Sequence, residues 1–143
     1  MKTLKVAICV DPMGCGQTTA EEEVEQHKVE IRDRLKPRKL KFYQIWNVEE
    51  VKPGTDLLLF DYGGMMPGNS LSEDNSRALI QWCRDNPNSL ALVMTKSTYD
   101  WQVEIELREL GPAEQPHNLI NYRDVPSVVN DGQIPNWFLE MHQ

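Results

Sequence analysis

Apolar residues in this chain fall in short dense runs, separated by polar stretches of helical length. Val6-Ala7-Ile8-Cys9-Val10, Leu57-Leu58-Leu59-Phe60 and Leu90-Ala91-Leu92-Val93-Met94 are nearly continuous apolar segments. Such runs belong to strands covered on both faces, as in a parallel sheet. They predict strands over 4–10, 56–61 and 90–94. Lys39 to Trp46 alternates in part and carries Phe42, Tyr43, Ile45 and Trp46, which predicts another strand, and Asn118 to Tyr122 predicts one more.

Between these runs the period changes. Ala20, Val24, His27, Ile31 and Leu35 share one face of a helix over 19–36. Thr18 or Thr19 is its N-cap, Glu21, Glu22 and Glu23 occupy its first turn, and Pro37 stops it. One helical turn fits Val48 to Val51. A second helix is capped by Ser70 or Ser72 and turns Ala78, Leu79, Trp82 and Cys83 inward before Asn86-Pro87-Asn88. Trp101 to Leu110 fits either period. It reads as a helix, because a parallel sheet needs a crossover there. Pro126, Asp131-Gly132 and Pro135 predict a mostly irregular tail, whose Trp137, Phe138 and Leu139 either pack back on the body or form an arm for a partner.

Strands alternating with helices predict an α/β fold: a Rossmann-like three-layer α/β/α domain with a mostly parallel sheet of about five strands. The domain covers 1–123 and the tail 124–143. In such folds ligands sit at the carboxyl ends of the strands, which gathers loops 11–19, 61–69 and 95–101 on one rim.

Charge narrows the partners. A net charge of −7 argues against direct nucleic-acid binding or an anionic membrane surface. The one basic stretch, Arg32 to Lys41, reads as a local anion patch or as a solvated helix end. Cys9, Cys15 and Cys83 form no CxxC pair. With no secretory signal in view, and an N-terminal apolar run too short to span a bilayer, they predict a cytoplasmic protein in a reducing compartment.

The rim carries the candidate chemistry. Gly14-Cys15-Gly16-Gln17-Thr18-Thr19 sets a flexible backbone at a helix N-terminus, the arrangement that holds phosphates. Close packing of a glycine turn explains the same residues without a ligand. Asp61 ends a buried strand, where an acid can hold magnesium through water; Asp11 and Asp100 are its possible companions, or simple turn and cap residues. Cys15 between two glycines is a candidate nucleophile, but His27 lies on the inner face of the helix and reads as a core or boundary histidine. His117 and His142 have no evident place. Tyr62, Tyr99 and Trp101 line a pocket for a planar ligand, pack in the core or form a partner surface.

On these residues the chain resembles partition ATPases of the ParA/MinD kind, whose loop runs Lys-Gly-Gly-x-Gly-Lys-Thr-Thr. Gly14, Gly16, Thr18 and Thr19 match that loop, and Leu57 to Gly64 is similar to the family's second motif. Gln17 stands where the phosphate-binding Lys belongs and Pro12 where the family's additional Lys belongs. A neutral amide cannot neutralise a phosphate. The resemblance therefore implies a degenerate P-loop, with Gly14, Gly16, Gln17, Thr18 and Thr19 toward ATP or another nucleotide, Asp61 and Asp11 toward Mg²⁺, and little or no hydrolysis. A second resemblance is to response-regulator receivers. Asp61 stands at the phospho-acceptor position, Asp11 at the end of the first strand and Thr95 at the end of the fourth. Only one acid follows the first strand, Pro67 is displaced, and Arg123 is the nearest cation where receivers carry Lys.

Two readings follow. One is a nucleotide- or phosphate-binding regulatory module. The other is a non-catalytic protein-interaction module on a receiver-like, flavodoxin-like scaffold, with a protein partner or self-association through the Trp/Phe-bearing tail.

Overall fold

The computed structural model describes residues 2–13, 18–62, 70–94, 102–122 and 131–143. It shows the α/β architecture. Among the described residues six strands form one sheet: β1 (Leu4–Val10), β2 (Leu40–Ile45), β3 (Leu57–Asp61), β4 (Leu90–Val93), β5 (Leu119–Tyr122) and β6 (Asp131–Gly132). They lie in the order β2-β1-β3-β4-β5-β6, and every neighbouring pair is parallel. The expected sheet of about five strands thus gains a two-residue sixth.

Four helices among the described residues accompany them: α1 (Ala20–Leu35), α2 (Ser70–Asp85), α3 (Gln102–Leu110) and α4 (Asn136–Met141). The segment with two compatible periods, around Val103 to Leu110, is helix. Neither serine is the cap of α2: Ser70 is its first helical residue and Ser72 lies inside its first turn. The tail is more regular than its prolines suggest: β6 extends the sheet, and Pro135 stands at the N-cap of α4 with an extended backbone.

Strand alternation divides the core into two layers. Leu4, Val6, Ile8 and Val10 face one side with Leu57, Leu59, Leu90 and Leu92. They pack against Val24, Ile31 and Leu35 of α1 and Phe138 of α4. Ala7, Cys9, Leu58, Phe60, Ala91 and Val93 face the other side, against Leu79 and Cys83 of α2 and Val103 of α3. β3 is buried at every position, which is why it reads as an unbroken apolar run.

Buried polar side chains tie the layers' ends. Asn118 Nδ2 donates to the carbonyls of Cys83 at 3.0 Å, Asn86 at 2.9 Å and Ser89 at 2.9 Å, locking the end of α2 to the start of β5. Asn75 of α2 accepts from the Val48 N–H at 2.8 Å and so fixes the short 3₁₀ turn Val48–Glu50 that follows β2.

Candidate functional site

β1 sends its chain to β2 on one side, while β3 lies on its other side, so the connections diverge at the carboxyl ends of β1 and β3. In doubly wound sheets that divergence opens the ligand crevice. The residues there are Asp11, directly after β1, and Asp61, the last residue of β3. Val10 is in register with Asp61, and the Asp11 N–H donates to the Asp61 carbonyl at 3.3 Å. The two acids therefore sit on neighbouring strand ends, as the rim rule predicts, with Asp61 on the Val10 face toward α1 and Asp11 one position further along.

Their side chains differ in state. Asp11 is 1% exposed. Its Oδ1 accepts from the Met13 N–H at 2.8 Å in a tight turn, and its Oδ2 has no hydrogen-bond partner among the described residues. A carboxylate oxygen in that condition carries an uncompensated desolvation penalty. Asp61 Oδ2, by contrast, lies 2.7 Å from His27 Nε2. His27 reaches it from the inner face of α1, one turn beyond the buried Glu23, and both members of the pair are buried.

Tyr62 closes the floor. Its ring stacks on Phe60 with centroids 5.1 Å apart, and its hydroxyl donates to the Trp46 carbonyl at the end of β2. Burial, followed by the nearby Cys9 thiol and the Asp11 carboxyl, pushes that hydroxyl above the ordinary tyrosine range, so it stays a neutral donor. Tyr62 is thus core packing with a polar anchor.

The N-terminus of α1 is occupied by its own sequence. Thr19 is the N-cap; its Oγ1 accepts from the Glu22 N–H at 3.2 Å and donates to Glu22 Oε1 at 3.1 Å. Glu21, Glu22 and Glu23 follow in the first turn. Thr18 is half-buried beside it. Gly14, Cys15, Gly16 and Gln17 lie outside the described residues, as do Pro67, Thr95, Tyr99, Asp100, Trp101 and Arg123.

Asp11 Oδ2 is buried with no hydrogen-bond partner among the described residues, whereas Asp61 Oδ2 is already taken by His27. Among the described residues no three His, Cys, Asp or Glu side chains gather to hold a metal. A cation that reached Asp11 would have one protein oxygen among the described residues and would take its other ligands from water, the mode in which magnesium binds one or two carboxylates. The His27–Asp61 contact is the part of the site that sequence reasoning missed. The only signal was a histidine on an apolar helix face, and its partner stands 34 positions away.

His117 and His142 are away from the rim. His117 lies against Trp137 and His142 against Phe138, with centroids 5.6 Å and 4.6 Å apart. Comparison of the chain with protein-family models, with curated proteins and with solved structures gives no match.

Proposed function

We propose that this chain is a non-catalytic regulatory module on a receiver-like, flavodoxin-like scaffold, working through the crevice between the carboxyl ends of β1 and β3. The observation that supports it is the adjacency of Asp11 and Asp61 on the carboxyl ends of β1 and β3 in a sheet whose first five strands run 2-1-3-4-5. His27 shifts the role of Asp61. A carboxylate oxygen held at 2.7 Å by a buried imidazole is an internal partner and not a free phosphoryl acceptor. Asp11, with one oxygen unpartnered among the described residues, is the group that answers a cation.

The nucleotide reading uses the same two acids on the metal side and asks the N-terminus of α1 to hold a polyphosphate. We rank it second, because the Thr19 hydroxyl is engaged by Glu22 and the first turn carries three acids. A phosphate there meets like charge.

Two titrations test these readings on the whole chain. In the first, amide spectra are followed during addition of MgCl₂ to the wild type and to Asp11→Asn, with acetyl phosphate then added and the intact mass recorded. Shifts at Asp11 that the variant loses, without a phosphoryl adduct, are the expected result. An adduct on Asp61 would make it a phosphoryl acceptor after all and overturn the proposal. In the second, calorimetry with ATP, GTP and ADP plus magnesium should give no saturable heat, and saturable heat weakened by Thr18→Ala would put the nucleotide reading first.

A further inference from the structure

The basic stretch from Arg32, in the last turn of α1, to Lys41 of β2 is not explained by the carboxyl-edge site. It leads into β2, which is the outermost strand of the sheet. β2 is hydrogen-bonded to β1 along one side over Leu40 to Ile45. Among the described residues no backbone group bonds to its other side. Alternate N–H and C=O groups of a six-residue strand therefore face outward, the standing template for an added strand.

Cations border that edge on both faces of the sheet. On the α1 face, the Arg32 guanidinium lies over the Phe42 ring, 5.0 Å from its centroid. On the opposite face, Lys41 stands in register with Lys5, and the Lys52 ammonium lies 4.9 Å from the centroid of the Tyr43 ring. Lys39 and Lys41 are exposed along the strand itself. The chain as a whole carries a net charge of −7, so this edge is a local reversal of sign.

Lysines on an edge strand guard against pairing with another copy of the same chain, since two such edges bring like charges together. The same residues attract an acidic strand. The outward backbone groups match a peptide, which supplies N–H donors and C=O acceptors in alternation at the spacing of a strand; a phosphodiester supplies only acceptors. We propose that the free edge of β2 is a docking site for an extended acidic segment of a partner protein, added to the sheet as a strand beside Leu40–Ile45.

The test uses the whole chain and a short synthetic peptide of alternating glutamate and valine, labelled for anisotropy. Its N-methylated form keeps the charge but lacks the backbone donors. The expected result is saturable binding with amide shifts confined to the β2 edge. It should weaken about tenfold in Lys39→Glu/Lys41→Glu, as the loss of two surface charge pairs implies. It should be lost for the N-methylated peptide. Equal binding of the two peptides, or an oligouridylate bound as tightly as the peptide, would show a bare charge effect and overturn the proposal. So would no binding by the wild type. The N-methylated arm does not depend on how the variant folds.

Discussion

His27 Nε2 on α1 meets Asp61 Oδ2 at the end of β3 at 2.7 Å, with both side chains buried. The contact ties a helix of one layer to the carboxyl edge of the sheet, where the neighbouring strand β1 ends at Val10. His27→Ala leaves Asp61 buried without that partner and should lower the unfolding free energy by about 3 kcal/mol. His27→Gln, which restores an N–H donor, should lose clearly less. Urea unfolding of the two variants checks this; equal, small losses would mean the contact contributes little.

Phe138 belongs to the core although it sits in a six-residue helix of the tail. It is 0% exposed and packs in the cluster of Leu4, Ile31 and Leu35. Arg38 holds the same helix from outside, donating to the carbonyls of His142 at 2.7 Å and Leu139 at 3.0 Å. Phe138→Ala should destabilise the whole domain by about 3–5 kcal/mol. Trp137→Ala, at a half-buried position, should have a smaller effect. A Phe138→Ala protein with unchanged urea midpoint would show that the tail is not part of the cooperative unit.

Burial makes two of the chain's thiols inert. Burial pushes the Cys83 thiol up to about 12, and burial together with the nearby Glu50 carboxylate pushes Cys9 above the usual thiol range. The thiolate is the reactive form. Iodoacetamide at mildly alkaline pH should therefore leave Cys9 and Cys83 unlabelled in the folded protein and label both in urea, read by peptide mass spectrometry. Native labelling of Cys83 at the rate of a free thiol would contradict its placement.

His142 gives stability a pH dependence of known sign. Burial, helped by the Lys2 and Arg38 cations and opposed by Asp56, holds its imidazole below the ordinary 6.5. Above that value the ring is neutral whether the chain is folded or not. As pH falls through 6.5, the unfolded chain takes up the proton first, so stability falls until the folded imidazole also titrates. His142→Asn should flatten the stability profile below neutrality. The check is the urea midpoint from pH 7.5 downward, wild type against variant; parallel profiles would remove His142 as the cause.

Asn118 offers a chemical test of the α2–β5 lock. Its amide donates to three main-chain carbonyls. Asn118→Ala should cost about 2 kcal/mol, and Asn118→Asp should cost more, because it turns a carboxylate toward those same acceptors. Thermal unfolding of both variants gives the order; an aspartate variant as stable as wild type would refute the donor assignment.

The fold was legible because its signals are local. Runs such as Leu57 to Phe60 are apolar at every position, since both faces of an inner parallel strand are covered. Thr19, the three glutamates after it and the spacing from Ala20 to Leu35 specify α1 by capping, dipole and period alone. The sequence also set the rim, because the ends of β1 and β3 are the ends of apolar runs. Which side chains meet there was a tertiary decision. His27 and Asp61 are separated along the chain and meet only once α1 packs across the sheet. The same holds for the tail. Its prolines mark breaks in local structure, but Phe138 gains its place from apolar surface on β1 and α1, which no local pattern near residue 138 encodes. Periodicity reports what one segment needs to bury. The partner that buries it is chosen only when the segments assemble.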